Sequence, residues 1–117
     1  MTSARRVLVV EDEAIVAIFL EELLTDLGHE VTGVVSRLEE AMTRANDQNF
    51  DFAILDVHLA GEDVFPFADA IAKRGIPFVF TTGLGNDVIP ERLRDRPTLQ
   101  KPFRPEEFSR AIAALVT

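Results

Sequence analysis

Short, wholly apolar runs alternate with amphipathic segments along this 117-residue sequence, and that alternation restricts the fold more than any other feature. Val7-Leu8-Val9-Val10 is apolar without a break, as a strand covered on both faces would be. Val16, Phe19, Leu20, Leu23, Leu24 and Leu27 then recur at helical spacing, and Gly28 stands where a helix C-cap belongs. Residues 30–35 read as a second strand. Ser36 with Glu39 three residues on has capping-box spacing and opens a helix carrying Leu38, Ala41, Met42 and Ala45. Phe52-Ala53-Ile54-Leu55 forms a third strand that ends on Asp56, followed by a helix marked by Val64, Phe67, Ala68, Ile71 and Ala72. Residues 76–81 make a fourth strand, with Pro77 near its start, where a missing N–H matters least. Residues 98–100 make a short fifth. Pro105 sits in the first turn of a last helix whose inner face is Phe108, Ala111, Ile112 and Leu115.

Between the fourth and fifth strands the pattern weakens. Gly83, Gly85 and Asn86 are loop formers, and Val88, Ile89 and Leu93 support one short, loosely defined helix, expected to be the most mobile part of the chain.

Composition narrows the function classes. Apolar residues make up 47%, enough for a core in one domain spanning residues 1–117. There is no cysteine, hence no disulfide framework, thiolate metal site or cysteine nucleophile. The formal net charge of -8 argues against nucleic-acid binding and suits contact with a partner protein or with cations. Arg5 and Arg6 precede an apolar run only as long as Val7 to Val10, too short for a signal peptide or a membrane span, so a cytoplasmic protein without membrane insertion is expected.

Strand–helix alternation with apolar strands implies a parallel sheet with helices on both faces, which binds ligands beyond the carboxyl ends of its strands. The residues just past the apolar runs are Glu11-Asp12, Asp56, Thr82-Gly83 and Lys101-Pro102, and all should gather at one edge. Each has a plainer use alone: Glu11-Asp12 could start a helix, Asp56 could cap a loop, and Lys101 could be a solvated lysine. Together they make a site. Glu11, Asp12 and Asp56 at close range repel unless a cation or protons offset them. Mg²⁺ fits because it takes oxygen ligands, keeps several waters and needs few carboxylates. Lys101 supplies a positive charge and Thr82 a hydroxyl. Thr81 competes with Thr82 on the opposite strand face; Thr82 is favoured because it directly precedes Gly83. A carboxylate nucleophile flanked by metal, ammonium and hydroxyl suits a transferring phosphoryl group.

Val7-Leu8-Val9-Val10-Glu11-Asp12-Glu13, then Ile54-Leu55-Asp56, Phe80-Thr81-Thr82-Gly83 and Lys101-Pro102-Phe103 resemble, in order and spacing, the signature of response-regulator receiver domains over almost the whole chain. The resemblance implies a doubly wound α/β fold with a five-stranded parallel sheet in the flavodoxin-like order 2-1-3-4-5, here with a reduced fourth helix. It implies that Asp56 is the phosphoacceptor and Asp12 a direct Mg²⁺ ligand. Glu11 would act mostly through metal-bound water, and the main-chain carbonyl of His58 would be a further ligand. Thr82 and Lys101 would contact the phosphoryl oxygens, and the positions of His58 and Leu84 would tune the phosphoryl lifetime.

The implied partners are a sensor histidine kinase or histidine phosphotransfer protein and a downstream protein target. Receivers of this kind promote their own phosphotransfer and slow dephosphorylation without being enzymes in the turnover sense. After Asp56 stands Val57-His58-Leu59-Ala60-Gly61-Glu62-Asp63, where many receivers have Met-Pro and then Asp-Gly. Gly83 replaces the usual Ala, and Thr98 stands where an aromatic switch residue is common. Phe80-Thr81-Thr82-Gly83 is similar to the motif of single-domain receivers named for Phe-Ala-Thr-Gly. With no effector domain after Thr117, output is expected through protein contacts made by residues 84–96, the fifth strand and the last helix.

Rival functions leave different marks. A small aspartyl-phosphate phosphohydrolase wants a second acid two residues after the nucleophile, where His58 stands, and a cap domain for which there is no length. A flavodoxin-like module binding flavin or nucleotide wants a glycine-rich loop after the first strand, where Glu11-Asp12-Glu13 would repel phosphate. A degenerate receiver serving only as a docking surface would lack some of the five key groups. His29 is expected to be structural, and Phe65, Phe67, Phe78 and Phe80 to lie in the core.

Overall fold

Apolar runs ending in acids, threonines or lysine set the strands, and the segments between them set the helices. The computed structural model describes residues 4–83 and 86–116; Leu84, Gly85 and Thr117, singled out above, lie outside the described residues. In chain order the elements are β1 (Arg6–Val10), α1 (Ala14–Asp26), β2 (Glu30–Val35), α2 (Leu38–Arg44), β3 (Phe52–Asp56), β4 (His58–Leu59), β5 (Glu62–Asp63), α3 (Phe65–Lys73), β6 (Phe78–Thr82), β7 (Thr98–Gln100) and α4 (Pro105–Val116).

The main sheet has five strands in the order β2-β1-β3-β6-β7, all paired in parallel. This is the expected 2-1-3-4-5 order, counting only its own strands. β1, β3 and β6 lie inside it and bury nearly every residue, whereas β2 at the edge is largely half-exposed. Alternation along the strands divides the core in two. Leu8, Val10, Ala53, Leu55, Phe78 and Phe80 pack with Ala41, Phe67, Ala68 and Ile71 of α2 and α3. Val7, Val9, Phe52, Ile54, Val79 and Leu99 pack with Leu20 and Leu24 of α1 and Phe108 and Ile112 of α4.

Several expectations shift in detail. β6 begins at Phe78 and runs on to Thr82, which moves the expected strand of residues 76–81 towards the site. The N-cap of α2 is Arg37, one residue past the expected Ser36, and its side chain makes no cap bond; Ser36 N and Oγ instead donate to Glu40 Oε1 at 3.3 and 3.4 Å, while Glu39 pairs with Arg37. Phe19 and Met42 lie on the exposed sides of their helices, because Ala17 and Ala41 take the inner positions. The reduced fourth helix appears as two single 3₁₀ turns, Asn86–Val88 and Glu91–Leu93, held down by buried Ile89 and Leu93. Helix α1 stops where Gly28 takes φ 88°, a left-handed conformation that other residues adopt only with strain.

His29, just beyond that turn, is structural. It is 6% exposed, accepts a hydrogen bond from the Arg5 backbone N–H at Nδ1 (3.0 Å) and meets the Phe52 ring edge-on at 5.5 Å. Burial, and secondarily the Arg5 charge, hold its pKa below the ordinary value. The folded chain therefore favours the neutral ring, and the unfolded chain binds the extra proton from about pH 6.5 downward. This stability is complete above that pH and is lost as pH falls through the folded value. The stability difference between wild type and His29→Gln, measured by urea unfolding, is expected to shrink as pH falls from 7.5 to 5.

Candidate functional site

Parallel strands end together, and here their ends carry charge. β1 leads into Glu11, Asp12 and Glu13, β3 ends on Asp56, β6 on Thr82, and β7 leads into Lys101. The Glu11 N–H donates to the Val35 carbonyl at 2.9 Å and the Lys101 N–H to the Thr82 carbonyl at 2.8 Å, so sheet-like bonding carries both residues to the edge.

One carboxylate oxygen from each of Glu11, Asp12, Glu13 and Asp56 lies within 4.8 Å of the others. Lys101 Nζ reaches into the group: 3.0 Å from Glu11 Oε1, 3.5 Å from Glu13 Oε1 and 3.5 Å from Asp56 Oδ2. The Glu11 side chain is fully buried and Asp56 is 6% exposed, so water does little to screen them. Burial, then the hydrogen bond and charge of Glu11, push the Asp56 carboxyl up to about 8, against the Lys101 ammonium that lowers it. Burial also works against the Lys101 charge, but the Glu11 hydrogen bond and the charges of Asp56, Glu11 and Glu13 outweigh it and raise the lysine pKa. Partial burial pushes Asp12 up as well. The Ala60 N–H, which donates to Asp12 Oδ2 at 2.9 Å, and hydrogen bonds with Asp56 and Glu11 bring it below the ordinary range.

This donor set fits a hard divalent cation. A carboxyl that holds its proton because it is buried beside another carboxylate is one that a cation would free, and all the side-chain donors are oxygens. The sequence-predicted residues Glu11, Asp12, Asp56 and Lys101 are thus brought together. Thr82 is buried at the end of β6, on the face shared with Phe80. The His58 ring is exposed and turned to Asp63, with Nδ1 3.1 Å from Oδ1, so it takes no part in the cluster.

Sequence reasoning missed two features. Glu13 joins as a fourth carboxylate; its place beside Asp12 was the only signal. The residues after Asp56 form the antiparallel β4–β5 pair, with Ala60 at φ 49° and Gly61 at φ 87° in its turn, and this pair presents the Ala60 N–H to Asp12. Ala60-Gly61 between two short polar segments was the available sign.

Beside Lys101 a cavity of about 430 Å³ is lined by Glu13, Val16, Phe19, Lys101, Pro102 and Phe103. Ile15 (83% exposed) and Ile18 extend this apolar surface along α1.

Known proteins share this architecture. The transcriptional regulatory protein PdtaR of Mycobacterium tuberculosis is 34% identical over 112 residues, which is 95% of this chain and 55% of PdtaR. The chain therefore spans about half the length of that curated relative. The solution structure of SdrG from Sphingomonas melonis Fr1 is 44% identical and superposes with a TM-score of 0.87 over 100% of both chains; its BeF3-activated conformation gives 0.82, covering 99% of this chain and 100% of that one. The receiver domain of the sensor histidine kinase PA1611 from Pseudomonas aeruginosa, solved with a magnesium ion coordinated in its active-site cleft, is 25% identical with a TM-score of 0.82, covering 97% of this chain and 98% of that one. The family whose sequence model matches residues 7–113 is the response regulator receiver domain, and the chain belongs to it.

Proposed function

We propose that the chain is a phosphoacceptor in a two-component or phosphorelay pathway, phosphorylated on Asp56 in a Mg²⁺-dependent reaction and acting in the cytoplasm through protein contacts. The observation that carries this reading is Asp56 itself: a nearly buried carboxyl at the end of a central strand, ringed by three other carboxylates, with the Lys101 ammonium 3.5 Å away. Glu11, Asp12, Asp56 and the main-chain carbonyl of His58 would hold Mg²⁺, Glu11 mostly through water, and the ion would supply charge that offsets the phosphoryl oxygens. An Asp56 carboxylate oxygen attacks phosphorus, the P–N bond to the donor imidazole breaks with its electron pair returning to nitrogen, and an acyl phosphate remains. Lys101 moves from its carboxylate partners to a phosphoryl oxygen, and Thr82 contacts another. The acquired charge draws Thr82 and the Gly83 backbone inward, and the 86–96 stretch follows. Turnover as a hydrolase lacks its second acid, since the exposed His58 ring stands at that place and faces Asp63.

The donor docks on α1. Among the described residues, the large exposed apolar side chains concentrate there in Ile15, Ile18 and Phe19, whereas the 86–96 stretch exposes only Val88 and buries Ile89 and Leu93. A phosphohistidine has to come within bonding distance of Asp56, and this surface adjoins Lys101. The 86–96 stretch, β7 and α4 are left for the downstream target.

Three results would bear on this reading. Wild type incubated with acetyl phosphate and Mg²⁺ is expected to gain one phosphoryl mass and Asp56→Asn none, read by intact-mass spectrometry; a modified Asp56→Asn would refute the assignment. Lys101→Ala leaves the buried Glu11 carboxylate without its ammonium, which should destabilise the metal-free protein by about 2 kcal/mol, part of it restored by Mg²⁺ in thermal melts. Ile15→Glu with Ile18→Glu should keep the acetyl phosphate reaction at its wild-type rate but slow transfer from a phosphorylated histidine kinase at least tenfold.

A further inference from the structure

Thr81 is wholly buried, and its hydroxyl has no hydrogen-bond partner among the described residues. Leaving a hydroxyl unpaired in a core is costly, and valine would fill the same space without that cost. The surroundings give the hydroxyl a use. Asp56 and Thr81 are register partners between β3 and β6, as Ile54 and Val79 are two residues earlier. Ile54 and Val79 lie together in the cluster facing α1 and α4. Strand alternation therefore puts Asp56 and Thr81 on that same face, side by side on strands about 4.8 Å apart. Leu99, the register partner of Thr81 on β7, belongs to this cluster too, so Lys101 two residues on shares the face. Thr82 falls on the other face, with Phe80. Of the two adjacent threonines, Thr81 is thus the one aligned with the phosphoacceptor, and its hydroxyl has no partner among the described residues.

We propose that Thr81 is a further catalytic residue that sets the lifetime of the phosphoryl group; this rests on Asp56 being the phosphoacceptor. At rest Lys101 Nζ, 3.5 Å from Oδ2, attends the Asp56 carboxyl. Once Asp56 carries a phosphoryl group, the ammonium turns to the phosphoryl oxygens, and the carbonyl oxygen of the acyl phosphate, which Mg²⁺ would hold on one side, is open to a donor on the other. The Thr81 hydroxyl turns to donate to that oxygen. In hydrolysis the bond between phosphorus and the Asp56 oxygen breaks, water supplies the new oxygen on phosphorus, and the carboxylate leaves with the electron pair. Negative charge grows on the carboxyl as it leaves, and a donor aimed at it lowers the barrier. Thr81 thereby shortens the signal, a role separate from the Thr82 contact with phosphoryl oxygen.

The test compares wild type, Thr81→Val, Thr81→Ser and Asp56→Asn, each loaded with acetyl phosphate and Mg²⁺ and then followed by intact mass after the donor is removed. Thr81→Val is expected to lengthen the phosphoryl half-life about tenfold, the scale of one hydrogen bond to a charging group. Thr81→Ser should keep the wild-type half-life, and the unphosphorylated Thr81→Val protein should melt at the wild-type temperature or above it. A Thr81→Val half-life within twofold of wild type would overturn the proposal. So would a Thr81→Ser protein as altered as Thr81→Val, because the side chain would then matter only for packing. A wild type that takes no phosphoryl group, or an Asp56→Asn protein that does, would overturn the reading of Asp56 and this inference with it.

Discussion

The bond between Lys101 Nζ and the Glu11 carboxylate, 3.0 Å long with the Glu11 side chain fully buried, is the contact on which the sheet edge depends. It joins the ends of β1 and β7, which lie apart in the sheet with β3 and β6 between them. Four carboxylates share that edge with one ammonium, so the cluster keeps an excess of negative charge that the fold cannot dissipate. Burial of Asp56, and after it the neighbouring Glu11, act together on its carboxyl. It retains a proton well above the ordinary carboxyl range, and it would give that proton up to a cation. Stability and readiness to bind are thus one electrostatic condition: like charge crowds the resting edge, and a divalent cation would relieve it.

Most of this was legible in the sequence, for a specific reason. A doubly covered parallel strand must be apolar throughout, so the first polar residue after each run marks the sheet edge. Val10 to Glu11 and Leu55 to Asp56 are such breaks, and both fall at the carboxyl ends of their strands. Gly28 and Pro105 marked helix ends by backbone chemistry that tolerates few alternatives. What escaped depends on contacts between segments distant in sequence. The inward sides of α1 and α2 go to Ala17 and Ala41 because small side chains let a helix lie close to the sheet, and hydrophobicity ranks Phe19 and Met42 above them. The β4–β5 pair is two residues long on each side, too short for any period to show.

The same distinction explains the threonines. Adjacent identical residues cannot be separated by composition, and proximity to Gly83 favours Thr82. Only the register of β6 against β3, set by the pairing of Ile54 with Val79 and of Leu55 with Phe80, reveals that Thr81 is aligned with Asp56. A slip of one residue would exchange the two threonines between the faces of the sheet.

The surface of α1 follows from a related constraint. The helix contains no lysine or arginine, and it exposes Ile15 and Ile18 while committing Leu20 and Leu24 to the core. Exposed isoleucine does not help a helix pack against its own sheet, and the donor proposed to dock on α1 would cover it. Phe19 stands 6.1 Å from the Phe103 ring, and Phe103 follows Lys101 by two residues. The apolar surface and the charged edge are therefore fixed to each other through the β7–α4 connection. A partner seated on α1 would be held at a set distance from Asp56, and a movement of Lys101 towards a phosphoryl group would reach the surface on which that partner rests through Phe103 and Phe19.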